Sequence, residues 1–178
     1  MQNLLLELLK NLTALYNAYA KLLEKQQIKM KTNNELIYET ALAWVGKDAS
    51  PRDIAPDEYS CFESVDEIVK LATGLYINGT ANRVEVSTYR GYQLLKDSPY
   101  FRSTTQPKAG TLIISPTGYK KTTSKIANGH IGVCDGQGGI MSVTSLVPGG
   151  RFQKNYTIES WKNRWEKDGY LIAFFDHV

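Results

Sequence analysis

Pro107 divides this chain of 178 residues into two parts of different apolar period, and that change does most to narrow the fold. Before it, apolar residues recur at spacings of 3 and 4; after it, they alternate at spacing 2. A helix gathers every third or fourth residue on one face, and a strand gathers every second. Helices first and strands after give an α+β fold. Thr111 to Ser115, His130 to Cys134, Ile140 to Ser145 and Tyr170 to Phe175 read as strands of an antiparallel sheet, rich in β-branched and aromatic residues. Asp135 to Gly139 reads as the hairpin between the second and third, and Thr157 as the cap of a short helix carrying Trp161 and Trp165.

The helical part has several pieces. Leu5, Leu8, Leu12, Leu15, Tyr19 and Leu22 form a heptad seam, and Leu4, Leu9, Tyr16 and Leu23 widen it. Residues 1–27 are therefore expected to form an amphipathic helix that docks on its own domain, self-associates through residues 4–23, or lies on a membrane surface. Residues 28–34 read as a linker, and residues 35–178 as the main domain. Asn34 is placed to cap a helix over Glu35 to Val45, with Gly46 as its stop. Ser60-Cys61-Phe62-Glu63 fits a capping box opening a helix that runs to Ala72 and stops at Gly74. A short strand is expected at Arg83 to Val86, and a helix from Ser87 to Lys96.

Composition excludes several classes. No run approaches the ~20 apolar residues of a membrane span, because Glu7, Lys10, Asn11 and Lys21 interrupt the leucine-rich start. The formal net charge of +3 comes entirely from residues 1–31, so the remaining chain carries no excess of base for a nucleic acid. Residues 48–67 are acidic and residues 102–125 basic, which polarises the surface. Two cysteines and two histidines, widely separated, form neither a disulfide framework nor a metal-ligand cluster, and no cofactor is expected.

The chemistry rests on few residues. Cys61 falls in the first turn of a helix, where unpaired N–H groups and the helix dipole favour thiolate. His130 opens a strand, where a base can reach a helix terminus packed on the sheet. Gly129 and Gly132 beside it are read as room for a substrate backbone. Cys134 lacks a helix terminus and reads as structural, His177 as solvent-exposed. The basic loop 116–125 reads either as a solvated loop or as a grip on an anionic polymer.

Cys61-Phe62-Glu63-Ser64-Val65, Pro107-Lys108-Ala109-Gly110-Thr111-Leu112-Ile113-Ile114 and Gly129-His130-Ile131-Gly132-Val133, in that order, resemble the papain-like cell-wall cysteine hydrolases of the NlpC and CHAP groups. The resemblance covers about residues 47–178. It implies a papain-like fold with the cysteine at a helix N-terminus on an antiparallel sheet, and cleavage of a peptide or amide bond of peptidoglycan, as in a bacteriophage endolysin. It implies Cys61 as nucleophile, His130 as general base, and a third residue orienting the imidazole. The family commonly has His, Asn, Asp or Glu there; this strand offers Ser142 first and Thr144 second, with Asp135 as a further alternative. The oxyanion hole would use the Cys61 N–H and a donor near Tyr59. With no secretory signal in residues 1–27, such an enzyme would be made in the cytoplasm and reach the wall through a pore or from a virion. The alternative expectation is a non-catalytic phage structural or wall-binding protein on the same fold, favoured by the uncharged third position. A thiol acyltransferase is a third.

Overall fold

The computed structural model describes residues 2–25, 31–48, 60–83, 87–118, 129–144 and 150–178. They divide into two compact units, Met1–Lys31 and Thr32–Val178. The first unit holds α1 (Gln2–Lys25), whose Leu9, Leu12, Leu15, Tyr16 and Tyr19 are exposed. No described helix is long and apolar enough to cross a membrane.

The second unit is α+β, as the change of period predicts. Its elements run α2 (Asn33–Trp44), α3 (Cys61–Thr73), α4 (Thr88–Asp97), β1 (Phe101–Ser103), β2 (Ala109–Ser115), β3 (His130–Asp135), β4 (Gly139–Val143), β5 (Phe152–Thr157), α5 (Ile158–Trp161) and β6 (Ala173–His177). One π turn, Lys162–Glu166, continues α5. The six strands form one antiparallel sheet in the order β1-β6-β2-β3-β4-β5.

Two apolar layers cover the sheet, and strand alternation assigns each residue to its layer. Leu112, Ile114, Ile131, Val133, Met141 and Val143 pack with Ile37 and Ala41 of α2 and Phe62, Val65, Ile68 and Val69 of α3. Ile113, Cys134 and Ile140 pack on the other side with Trp161, Trp165 and Tyr170. Every residue of β3 is buried, which explains its unbroken apolar run.

Several local expectations are corrected. Thr32, not Asn34, caps α2: its hydroxyl accepts from the Glu35 N–H, and the Glu35 carboxylate accepts from the Thr32 N–H. Asn34 is buried instead, donating to Asp176 Oδ1 at 2.7 Å and accepting from the His177 N–H at 2.8 Å, so the expected linker supplies the start of the second unit. Ser60 makes no side-chain cap at α3. Glu63 turns inward to Arg83, whose Nη1 lies 2.7 Å from Glu63 Oε1 and whose Nε lies 3.3 Å from Asp66 Oδ2, a buried ion cluster in place of the capping box. Gly74 does end α3, in the left-handed conformation at φ 88°. The strand expected at Arg83 to Val86 falls mostly outside the described residues, while β1 and β5 are additional strands.

Candidate functional site

Cys61 is the first residue of α3, and α3 packs on β3 and β4. The β3–β4 ladder pairs Cys134 with Ile140 and Val133 with Met141. Two residues before Val133, the Ile131 N–H bonds the Cys61 sulfur, as do the N–H groups of Phe62 and Cys61 itself. The thiol thus lies against the residue that follows His130 in the chain. Cys61 belongs to the helix-covered layer, whereas the His130 ring lies among the aromatic residues of the other, and the two are linked through β3, where the residue on the Cys61 sulfur is the one after His130.

His130 is held on several sides. Its ring stacks on Trp165 at 5.3 Å and 8°, and on Trp161 at 5.2 Å and 29°, while Tyr156 meets it edge-on at 5.9 Å. Trp161 is fixed in turn by its indole N–H, which donates to Ser115 Oγ at 2.9 Å. His130 Nε2 lies 3.0 Å from Ser142 Oγ, and the Ser142 hydroxyl donates to Asn155 Oδ1 at 2.8 Å. The third position read from the sequence is therefore where His130 finds its partner. A hydroxyl has one proton, and here it goes to Asn155, so Ser142 accepts from His130 Nε2–H. That leaves the imidazole lone pair on Nδ1.

The electrostatics differ from the expectation of a thiolate. Burial pushes the Cys61 thiol up to about 11, outweighing the three N–H groups that favour the anion. Burial, with the Arg164 guanidinium behind it, takes His130 down to about 4, although the Val143 carbonyl favours the charged ring. At neutral pH the two are a thiol and a neutral imidazole. Helix position alone predicted the opposite because it carries no information about desolvation.

The remaining candidates separate clearly. Thr144 N–H donates to the Arg151 carbonyl at the end of β4. Asp135 is committed to its hairpin: Oδ1 accepts from the N–H groups of Gln137 and Gly139, each at 2.8 Å, and Lys154 bridges Oδ2. Cys134 is buried beside Ile113 and Ile140, its thiol pushed up to about 12, in keeping with a structural role. His177 is half-buried rather than exposed, with Nδ1 3.0 Å from Asn33 Nδ2 and its ring edge-on to Phe101. Gly129 and Gly132 make room for this chain's own atoms: a Cβ would come within 2.3 Å of the Ser115 carbonyl at the first and 2.7 Å of Ile140 Cγ2 at the second. Tyr59 and residues 119–125 of the basic loop lie outside the described residues. Among those described, no group of three or more His, Cys, Asp or Glu side chains is placed to hold a metal ion.

Asn155 is the site residue that sequence reasoning missed. Its only signal there was the triplet Asn155-Tyr156-Thr157, which spells a glycosylation acceptor and says nothing of Ser142. Compared with known proteins, the chain matches no family model and no curated protein.

Proposed function

We propose that the chain is a papain-like cysteine hydrolase acting on a peptide or amide bond of peptidoglycan, as a bacteriophage endolysin does. The observation that carries this lies at one strand start: a cysteine at a helix N-terminus with its sulfur on the Ile131 N–H, and, one residue before Ile131 in the chain, a histidine whose Nε2 lies 3.0 Å from Ser142 Oγ. The sequence resemblance supplies the substrate class.

In this reading the Cys61 sulfur attacks the substrate carbonyl carbon as the thiol proton passes to His130 Nδ1. The C–N bond then breaks, and His130 returns the proton to the departing amine, leaving a thioester on Cys61. Water attacks the thioester with His130 again taking a proton, and the acid and the free thiol are released. With the thiol pushed up to about 11 and the imidazole down to about 4 by burial, the neutral pair is favoured over a preformed thiolate and imidazolium in the free protein. Proton transfer therefore accompanies attack. In this reading the Cys61 N–H, which bonds the sulfur in the free protein, would pass to the developing oxyanion as the sulfur bonds carbon.

The same neutral, buried pair and uncharged third residue favour a second reading, a wall-binding protein without turnover. Fragment release from purified peptidoglycan, with Cys61→Ala and His130→Ala beside the wild type, decides between them. The hydrolase reading expects fragments from the wild type alone, with kcat/KM falling in acid only as His130 protonates near its value of about 4. Binding to the wall with no fragments from any form establishes the second reading.

A further inference from the structure

We propose that Asn155 is a positioning residue of this site: its Oδ1 takes the Ser142 hydroxyl proton, so that Ser142 accepts from His130 Nε2–H and the imidazole keeps its lone pair on Nδ1. The role of Nδ1 as base rests on the hydrolase reading; the placement of the proton does not.

Hydrogen-bond bookkeeping carries the argument. Without an acceptor at Asn155, the Ser142 hydroxyl is free to turn and donate to Nε2, which forces the ring proton onto Nδ1. An imidazole in that form cannot take the thiol proton at Nδ1. The contact from Ser142 to Asn155, at 2.8 Å, removes that option. An orienting carboxylate would do this by charge; here two neutral groups do it by direction.

The backbone shows how Asn155 comes to be in place. Between β4 and β5, Ile140 pairs with Tyr156 and Met141 with Lys154, so Asn155 is an extra residue in the ladder. A β-bulge re-aims the side chains of its strand. It allows two neighbours in sequence, Asn155 and Tyr156, to serve one site: the first reaches Ser142, and the second lies edge-on to the His130 ring. In a regular strand those side chains would point to opposite faces.

Among the described residues, the titratable and charged groups facing the His130 ring are Arg164 of the π turn and Tyr156 of β5, and the Val143 carbonyl also faces it. Lys154, next to Asn155, is occupied by Asp135. Among the described residues, a carboxylate introduced at position 155 would therefore act on His130 against the Arg164 guanidinium.

The test is the protonation pattern of His130, read by nitrogen NMR on labelled protein in a His177→Gln background, where His130 is the one remaining histidine. The unsubstituted site is expected to carry its proton at Nε2. Asn155→Leu should show the Nδ1–H form, and should lower kcat by roughly 10 to 100-fold with KM little changed, as loss of an outer partner does. Asn155→Asp keeps the acceptor and adds charge, so it should retain the Nε2–H form, preserve most activity, and raise the pH at which His130 titrates. An unchanged Nε2–H form in a folded Asn155→Leu protein overturns the proposal. If that variant does not fold, Asn155→Asp decides: no upward move of the His130 titration overturns it equally. If the tautomer shifts as expected while the wild type cleaves no peptidoglycan, the relay stands and the hydrolase reading falls.

Discussion

His130 illustrates how burial and titration are linked. The folded chain holds it near 4 and an unfolded chain near 6.5, so between those values the unfolded state binds more protons and stability falls with acid. The contribution is fully present above about 6.5 and lost as pH falls toward 4, amounting to about 3 kcal/mol. Asp66 works against it. Burial raises that carboxyl to about 6 despite Arg83, so across the same acid range the folded state binds the extra proton and gains stability as pH falls. The wild-type curve alone is therefore expected to be shallow between pH 4 and 6. Urea titrations of wild type and His130→Gln separate the two effects: the stability difference, wild type minus variant, should shift by about 3 kcal/mol against the wild type from pH 7 to pH 4. A difference constant with pH would show that the imidazole is not buried neutral. The sequence made Cys61, His130 and Ser142 legible through order and spacing. Their protonation was not legible, because it is set by burial: that of Cys61 in the helix-covered layer, and that of His130 among Trp161 and Trp165 with Arg164 beside it, all far along the chain.

At the scale of elements, close contact between helices is set by single residues. Gly91 of α4 faces the Phe62 ring of α3, and a Cβ at position 91 would come within 1.9 Å of the ring. Phe62 is fully enclosed, so the ring has nowhere to move. Gly91→Ala improves helix propensity by roughly 1 kcal/mol, yet overpacking costs about 1–3 kcal/mol, and the expected net effect is destabilisation with a lowered thermal midpoint. A raised midpoint would mean that α4 shifts freely on α3. The strands legible from sequence, β2, β3 and β4, are those whose alternation serves two buried layers. β1 has three residues, too few for a period, and β5 has mostly half-buried or exposed positions with a bulge at Asn155 that breaks the alternation. The same irregularity that hid β5 also hid Asn155. The capping box misplaced at Ser60 fails for a related reason: Glu63 finds a stronger partner in Arg83, some twenty positions along the chain.

For the whole molecule, both apolar layers and the Cys61, His130, Ser142 and Asn155 cluster belong to Thr32–Val178, and α1 to the other unit. The heptad pattern of α1 was plain in the sequence, and its exposed Leu12, Leu15 and Tyr19 belong to the seam that such a pattern presents to a partner helix. Isolated helices are marginal in water, so a helix of 24 residues with exposed leucines gains most of its stability from whatever covers that stripe. Of the three occupants the sequence leaves open, its own domain, a second copy and a membrane surface, self-association makes the sharpest prediction. Removing residues 1–31 should then leave the thermal midpoint and near-ultraviolet spectrum of the remaining unit unchanged, since every described core residue lies beyond position 31, while light scattering falls from a multiple of the chain mass to a single chain. A monomer mass before and after removal would overturn self-association. A collapsed midpoint after removal would overturn the independence of the second unit and show that α1 completes its core.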